Sequence, residues 1–458
     1  MSQNEMDSKY NSIETVANLV KSEISKAGIP KYDIYLLDER VNGIYFRKTT
    51  IAEQTNYHNI SYFIRVFEDK GPENMGIGVV QLNSIRSEDI QKAIDYAQTI
   101  AKMNNGPKYD LVAPGKNYPN PVTFDKNVWY HPEEFLNEKS LELRQGLTEL
   151  IPAVPNFGTL RTYRKQKMLV NSAGFHKLKR STNFGYEFSF KAMKAGRMAE
   201  YWPSGYIKSA QDLKFLERIP EWASRARDAL RATPPPYEPS IDVIFAPSIV
   251  RSALLATVGY SASAQALYER YSRFKKDKIV ASENFTLVDD GLIEGGLGTS
   301  AWDSEGNPKQ RTPIIEKGVM TNFLFDQKFA TLLNEYSTGN AQRKPSKGGD
   351  MTIEFNNLVV NPGDQSLKEI VANSKKALLL IKFPWIHPNS ITGDFGASID
   401  NAYMIENGKM TRPIRGGSVS GNIYEMLKNI DAISKETRTV MNSKVPYIKF
   451  KNLHLSSK

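Results

Sequence analysis

The chain has 458 residues, of which 40% are hydrophobic and 24% charged, close to globular norms, and it contains no cysteine. The missing thiols exclude disulfides, thiolate nucleophiles, cysteine-ligated zinc and iron–sulfur clusters together. The net charge is +10, but the basic residues are spread along the chain and their densest groups, Arg161 to Lys167 and Arg273 to Lys278, are short. A solvated basic surface is therefore expected, with at most weak and non-specific nucleic-acid binding.

In chain order, a helix comes first: Ile13, Val16, Ala17, Val20 and Ile24 recur at helical spacing, and Gly28 and Pro30 end it. Asp33 to Leu37 and Gly43 to Lys48 read as a hairpin, Ile60 to Val66 alternates as a strand, and Gly76 to Leu82 is the next strand. Ser87 then caps a helix with Ile90, Ile94, Ala97 and Ala101 on its inner face. The Pro-, Asn- and Lys-rich stretch Pro107 to Pro132 reads as a linker.

A second region opens at Pro132 with a helix running toward Leu150, whose apolar face starts with Phe135, Leu136 and Leu143. The strands Phe157 to Tyr163, Lys167 to Asn171 and Tyr186 to Ala192 follow, and a helix from Pro220 to Ala232 closes the region. Pro234-Pro235-Pro236 cannot donate ladder hydrogen bonds and marks the clearest boundary. Beyond it, the strand Ile241 to Phe245 and a helix from about Pro247 lead into dense turns and strands. Lys317-Gly318 and Asn407-Gly408 suit two-residue hairpin turns. Ser366 and Glu369 form a capping box, and Leu378 to Phe383 is a buried strand. The expected fold is α+β, with α+β regions at 1–110 and 130–233 and a β-rich domain at 238–458.

Chemistry is harder to place. Five scattered histidines offer no local metal-binding pair. The run Gly416 to Gly421 misses the G-x-S-x-G elbow, although His387 lies upstream. Gly295-Gly296-Leu297-Gly298 lacks the lysine of a phosphate loop. Asp289-Asp290 and Asp303-Ser304-Glu305 read as turn residues before glycines rather than cation ligands. Met1 to Tyr10 is polar and no apolar run approaches the roughly 20 residues of a membrane span, so a cytoplasmic protein with no membrane contact is expected.

From Ala246 onward the chain resembles the TldD/PmbA family. The residues that carry the likeness are Asn284 to Gly291, Ala301 to Gly306, Ile315 to Gly318, Ser337 to Asn340, Ala402 to Lys409 and Arg415 to Asn422, in that order. In the family, TldD-type subunits bear H-E-x-x-x-H on the helix after the first strand of this domain, and a cysteine near the C-terminus adds a zinc ligand. The matching helix here includes Arg251 to Tyr260 and has neither His nor Glu. The resemblance thus implies a TldE/PmbA-type subunit with no catalytic residues and no metal or other cofactor of its own. Its partner would be a TldD-type metallopeptidase subunit that carries the zinc, with linear or unfolded peptides as substrates and homodimerisation as the assembly of the isolated chain. The alternative is a stand-alone peptide- or nucleic-acid-binding protein. Arg415, Gly416, Gly417, Ser418, Ser420 and Asn422 are the expected peptide-contact residues, since glycines permit close backbone approach and strand addition needs an edge.

Overall fold

A computed structural model describes residues 12–48, 50–148, 154–208, 214–345 and 348–457. Four long strands organise the first lobe: β1 (Tyr32–Arg47), β2 (Thr50–Asp69), β5 (Val154–Asn171) and β6 (His176–Lys194). With β3 (Asn74–Leu82), β4 (Gly106–Pro107), β7 (Arg197–Tyr201) and β8 (Ser204–Ile207) they form one eight-stranded sheet in the order β4-β3-β2-β1-β5-β6-β7, with β8 also on β6. Because β1 pairs antiparallel with β5 from Asp33↔Asn171 to Arg47↔Phe157, the regions expected at 1–110 and 130–233 share this sheet.

The hairpin expected within Asp33 to Lys48 is instead the single strand β1. The polar run Asp38 to Asn42 that suggests a turn is paired on both sides, with Ile60 to Asn56 of β2 and Gln166 to Thr162 of β5. Likewise Phe157 to Tyr163 and Lys167 to Asn171 are one strand, β5. Side chains alternate across the pleat. On one face Ile34, Leu36, Ile64 and Val170 pack beneath α1 (Ser12–Lys26) and α2 (Ser87–Met103). Farther along the same face Ile44, Phe46, Leu160 and Phe188 pack beneath α3 (Lys126–Tyr130), α4 (Pro132–Thr148) and α5 (Phe215–Arg231). Ser87 is the first residue of α2 rather than its cap, which is Arg86 with no side-chain bond. Leu150, at the end expected for α4, lies outside the described residues.

The second lobe is a 12-stranded mixed sheet. At its centre β9 (Glu238–Phe245) runs antiparallel to Ser443–Ser456 and parallel to Lys376–Lys382. The chain then turns into one helical run, Pro247–Ile249, a π-helical segment Val250–Leu255 and Ala256–Ser261, embedded in the larger core of this lobe. Both glycine turns form: Lys317 and Gly318 have φ of 46° and 80°, Asn407 and Gly408 of 50° and 76°, as a two-residue primed turn requires. The Ser366–Glu369 capping box is present in full. Overall the fold is α+β, and no helix among the described residues is long and apolar enough to cross a membrane.

Candidate functional site

The free face of the first sheet closes on the second lobe, and the seam between them holds a cluster of buried charge. At one end Tyr35, Phe63, Leu169 and Phe175 meet Trp302 across the seam. Tyr118, from the expected linker, donates to Gly306 O at 2.8 Å, so this segment runs along the second lobe. Asp33 anchors the charges there. It accepts from Arg65 Nε at 2.6 Å and from Arg343 Nη2 at 2.8 Å, and Arg65 reaches on to Glu305 at 3.4 Å. All four side chains are buried. The Arg343 guanidinium lies over the rings of Tyr35 and Phe63, 5.5 and 5.8 Å from their centroids, which supplies electrostatic contact where hydrogen-bond partners run out.

Two buried aspartates knit the loops of the second lobe. Asp289 accepts from Asn340 Nδ2 at 2.6 Å, from Asn356 N at 2.6 Å and Nδ2 at 2.9 Å, and from Asn357 N at 2.9 Å. Asp303 accepts from the backbone of Glu305 and Asn307, both at 2.9 Å, and of Ala341 at 3.1 Å. Burial nevertheless pushes both carboxyls up to about 6. Asp326, which caps the short helix Gln327–Leu332 by accepting from Phe329 N, is pushed up to about 7 by burial and by the neighbouring Glu305. The turn reading of Asp303 to Glu305 therefore describes the backbone but misses a buried acidic network.

Beside this network a cavity of about 370 Å³ opens between the lobes. Lys167, Lys179 and Lys309 line it together with Asp303, Gln342 and Asn356. A second cavity of about 230 Å³ follows along the seam, between α5 and the start of the helix at Pro247. There Glu221 meets Arg225 at 3.4 Å and Arg438 at 3.3 Å, beside Tyr186 and Trp202. Met441 lines both cavities from the tip of the hairpin between Ile430–Thr439 and Ser443–Ser456, with a φ of 53°.

The residues expected to contact peptide lie elsewhere. Arg415 pairs with Asp400 at 3.2 Å. Ser418 to Ser420 pair with Ser398 to Gly396 on one side and with Ser456 to His454 on the other. Asn422 accepts from Tyr424 N and Glu425 N as the cap of the helix Ile423–Lys428, and its amide donates to Thr392 O and Asp394. Strand addition needs an open edge, and both edges of Ser418 to Ser420 are taken. Gly416 and Gly417 serve the turn, with φ of 81° and 64°, and a Cβ on Gly417 would stand 2.3 Å from Ser456 O.

The comparisons bear on what this framework is. The family model described as the PmbA/TldA metallopeptidase C-terminal domain matches residues 238–457. Residues 238–457 belong to the TldD/PmbA family. TldD/PmbA relatives include a metalloprotease of Methanocaldococcus jannaschii, 30% identical over 229 residues, which are 48% of this chain and 49% of that protein. A TldD homologue of Buchnera aphidicola is 30% identical over 162 residues, 35% of this chain and 33% of that one. The chain thus spans about half the length, or less, of the curated relatives it matches. Two solved structures share the fold over nearly the whole chain. TldE from Thermococcus kodakarensis has a TM-score of 0.83 at 22% identity, covering 96% of this chain and 99% of that one. A Thermotoga maritima protein described as a candidate modulator of a DNA gyrase has a TM-score of 0.82 at 17% identity, covering 97% and 100%.

A metallopeptidase family raises the question of zinc. The helical run Pro247–Ser261 buries Val250, Ala253, Leu254, Leu255 and Val258 completely, and none of these side chains can coordinate a metal. Thr257 donates to Ala253 O at 3.2 Å. Arg251, its most polar member, donates to Asn442 Oδ1 and lies 5.0 Å from the Phe355 ring centroid. Among the described residues no three of His, Asp and Glu gather closely enough to hold a metal ion. The donor set at this helix does not fit catalytic zinc, which takes about three His, carboxylate or thiolate ligands.

Proposed function

We propose that this chain is the non-catalytic, zinc-less subunit of a TldD/TldE-type peptidase, working with a TldD-type partner that supplies the metal and the cleavage chemistry for unfolded or linear peptides. The observation that carries the reading is the helix Pro247–Ser261. By the resemblance it matches the helix on which the family's zinc subunit bears its ligands, yet its buried side chains are apolar apart from Thr257 and Ser261, whose hydroxyls bond to Ala253 O and Tyr424. Chemistry at that position would need His or carboxylate side chains facing an open cavity, and packing alone explains the residues found. The proposal is tested by co-expression with a chain bearing H-E-x-x-x-H on the matching helix, followed by size-exclusion chromatography. A stable heteromer is expected, with an interface of obligate scale, roughly 2,000 Å² or more. Two separate peaks at micromolar concentration, with peptide or nucleic acid bound by this chain alone, would instead favour the stand-alone binding role.

A further inference from the structure

The lysines of the larger seam cavity stand in an arrangement that folding alone does not favour. Lys167 and Lys179 are direct cross-strand partners on β5 and β6. Like charges directly opposite each other in an antiparallel pair are destabilising. Both point toward the second lobe, which presents Lys309 to the same cavity. Lys208, just beyond β8 and only 6% exposed, lies near enough to feel the charges of Lys167 and Lys309. The two acids that line the cavity are already engaged: Asp303 by three backbone N–H groups, Glu354 by an ion pair with Lys344.

The cations retain unused donors. An ammonium has three N–H groups. Lys179 directs one to Trp302 O at 2.7 Å, and Lys309 one to Gly298 O at 2.8 Å. Neither Lys167 nor Lys208 has an acidic partner among the described residues. Burial and the neighbouring lysines pull the Lys179 ammonium well down, and they bring Lys208 down to about 7. Burial brings Lys309 down to about 8, although Asp289 and Asp303 favour its charge. Removing charge from water is costly unless a counter-charge replaces the solvent, and here two carboxylates, Asp289 and Asp303, face four lysines.

We infer that this cavity receives the C-terminal carboxylate of a short peptide, held by Lys167, Lys179 and Lys309 at the seam between the lobes. The rest of the lining favours a peptide end over an inorganic anion. Gln342 and Asn356 offer amides and Tyr35 and Phe355 apolar surface. A volume of about 370 Å³ also falls within the roughly 300–1,000 Å³ of small-molecule sites. The inference rests on the reading of the chain as a peptidase subunit, and it assigns that subunit the task of gripping a free chain end.

Calorimetric titration of the full chain with trialanine and with trialanine amide tests it, with inorganic phosphate as the anion control. The free acid should bind at least about tenfold more tightly than the amide, the scale of losing a charge-assisted hydrogen-bond set. Lys167→Gln should weaken the free acid by a similar factor without unfolding the chain, because Lys167 is only half-buried. Lys179→Met, checked first by thermal unfolding, should do the same. Equal binding of acid and amide, no binding of either, or binding of phosphate alone would overturn the inference. Peptide cleavage after mixing with a zinc-bearing partner is read separately. Cleavage with no preference for the acid in binding sinks the carboxylate grip and leaves the subunit reading standing. The acid preference without cleavage on mixing supports the grip and removes the subunit reading.

Discussion

Two clusters of buried charge lie along the same seam and differ in one respect. Around Asp33, the cations Arg65 and Arg343 are matched by Asp33 and Glu305, and every contact crosses between sheet strands or between lobes. Around Lys167, four lysines converge on two carboxylates, Asp289 and Asp303, that also accept from backbone or amide N–H groups. The first arrangement is balanced in charge and fastens the lobes together. The second carries an excess of positive charge, borders a cavity and reaches balance with a ligand. Burial alone therefore does not distinguish a structural ion cluster from a binding site; the balance of charge and the presence of space do.

The sharpest way to break the comparison is to unbalance the Asp33 cluster. Asp33→Ala leaves two buried guanidinium groups without their main partner and should cost about 3–5 kcal/mol, the usual penalty for removing one member of a buried pair. Denaturant unfolding would register it, and a loss under 1 kcal/mol would mean that the lobes are fastened elsewhere. Next comes Gly417→Val, outside both clusters. The left-handed φ and the approach to Ser456 O should cost about 1–3 kcal/mol whether or not peptide is present. A variant of wild-type stability that fails only in peptide turnover would restore Arg415 to Asn422 as the contact site.

The lysine cluster should respond in the opposite sense. Lys208 has a folded pKa of about 7, depressed below the ordinary value of 10.5. A depressed base favours its neutral form in the folded state, so the unliganded chain loses stability as pH falls from about 10.5 toward 7. Lys208→Met should accordingly raise the melting temperature at pH 7, with the gain shrinking as pH approaches 10. A melting temperature lowered at pH 7 would show that Lys208 is paired after all. The smallest effect belongs to Lys165, two residues from Lys167 on the same face of β5. It pairs with Glu39 at 2.6 Å, and both side chains are about a quarter exposed. Lys165→Gln should cost about 0.2–1 kcal/mol and leave peptide binding unchanged.

How much of this was legible in the sequence depends on the range of the interaction. The faces of α1 and α2, the two glycine turns and the Ser366 capping box are set by residues within one or two turns of each other, and they appear where the pattern puts them. The continuity of β1 was hidden because Asp38 to Asn42 is polar, a usual mark of a turn. Its partners in register, including His58, Arg164 and Gln166, are polar too, so the middle of the sheet is a polar band between two apolar packs. The lysine cavity is assembled from β5, β6 and loops of the second lobe, and no local pattern marks it. One signal was available: once β5 and β6 are recognised as a hairpin about Ser172 to Phe175, its register sets Lys167 against Lys179. The glycines at 416 and 417 suggested a binding strand, and in the structure both take left-handed φ in a turn.

In the role proposed for it, this chain lends structure and substrate handling to a peptidase whose metal sits in another subunit. Zinc content by mass spectrometry, with cleavage of a linear peptide by this chain alone and by its mixture with an H-E-x-x-x-H subunit, decides whether that role holds. No stoichiometric zinc and no cleavage are expected for the isolated chain, and chelator-sensitive cleavage once the partner is added. One zinc per chain, with chelator-sensitive cleavage by this chain alone, would contradict it.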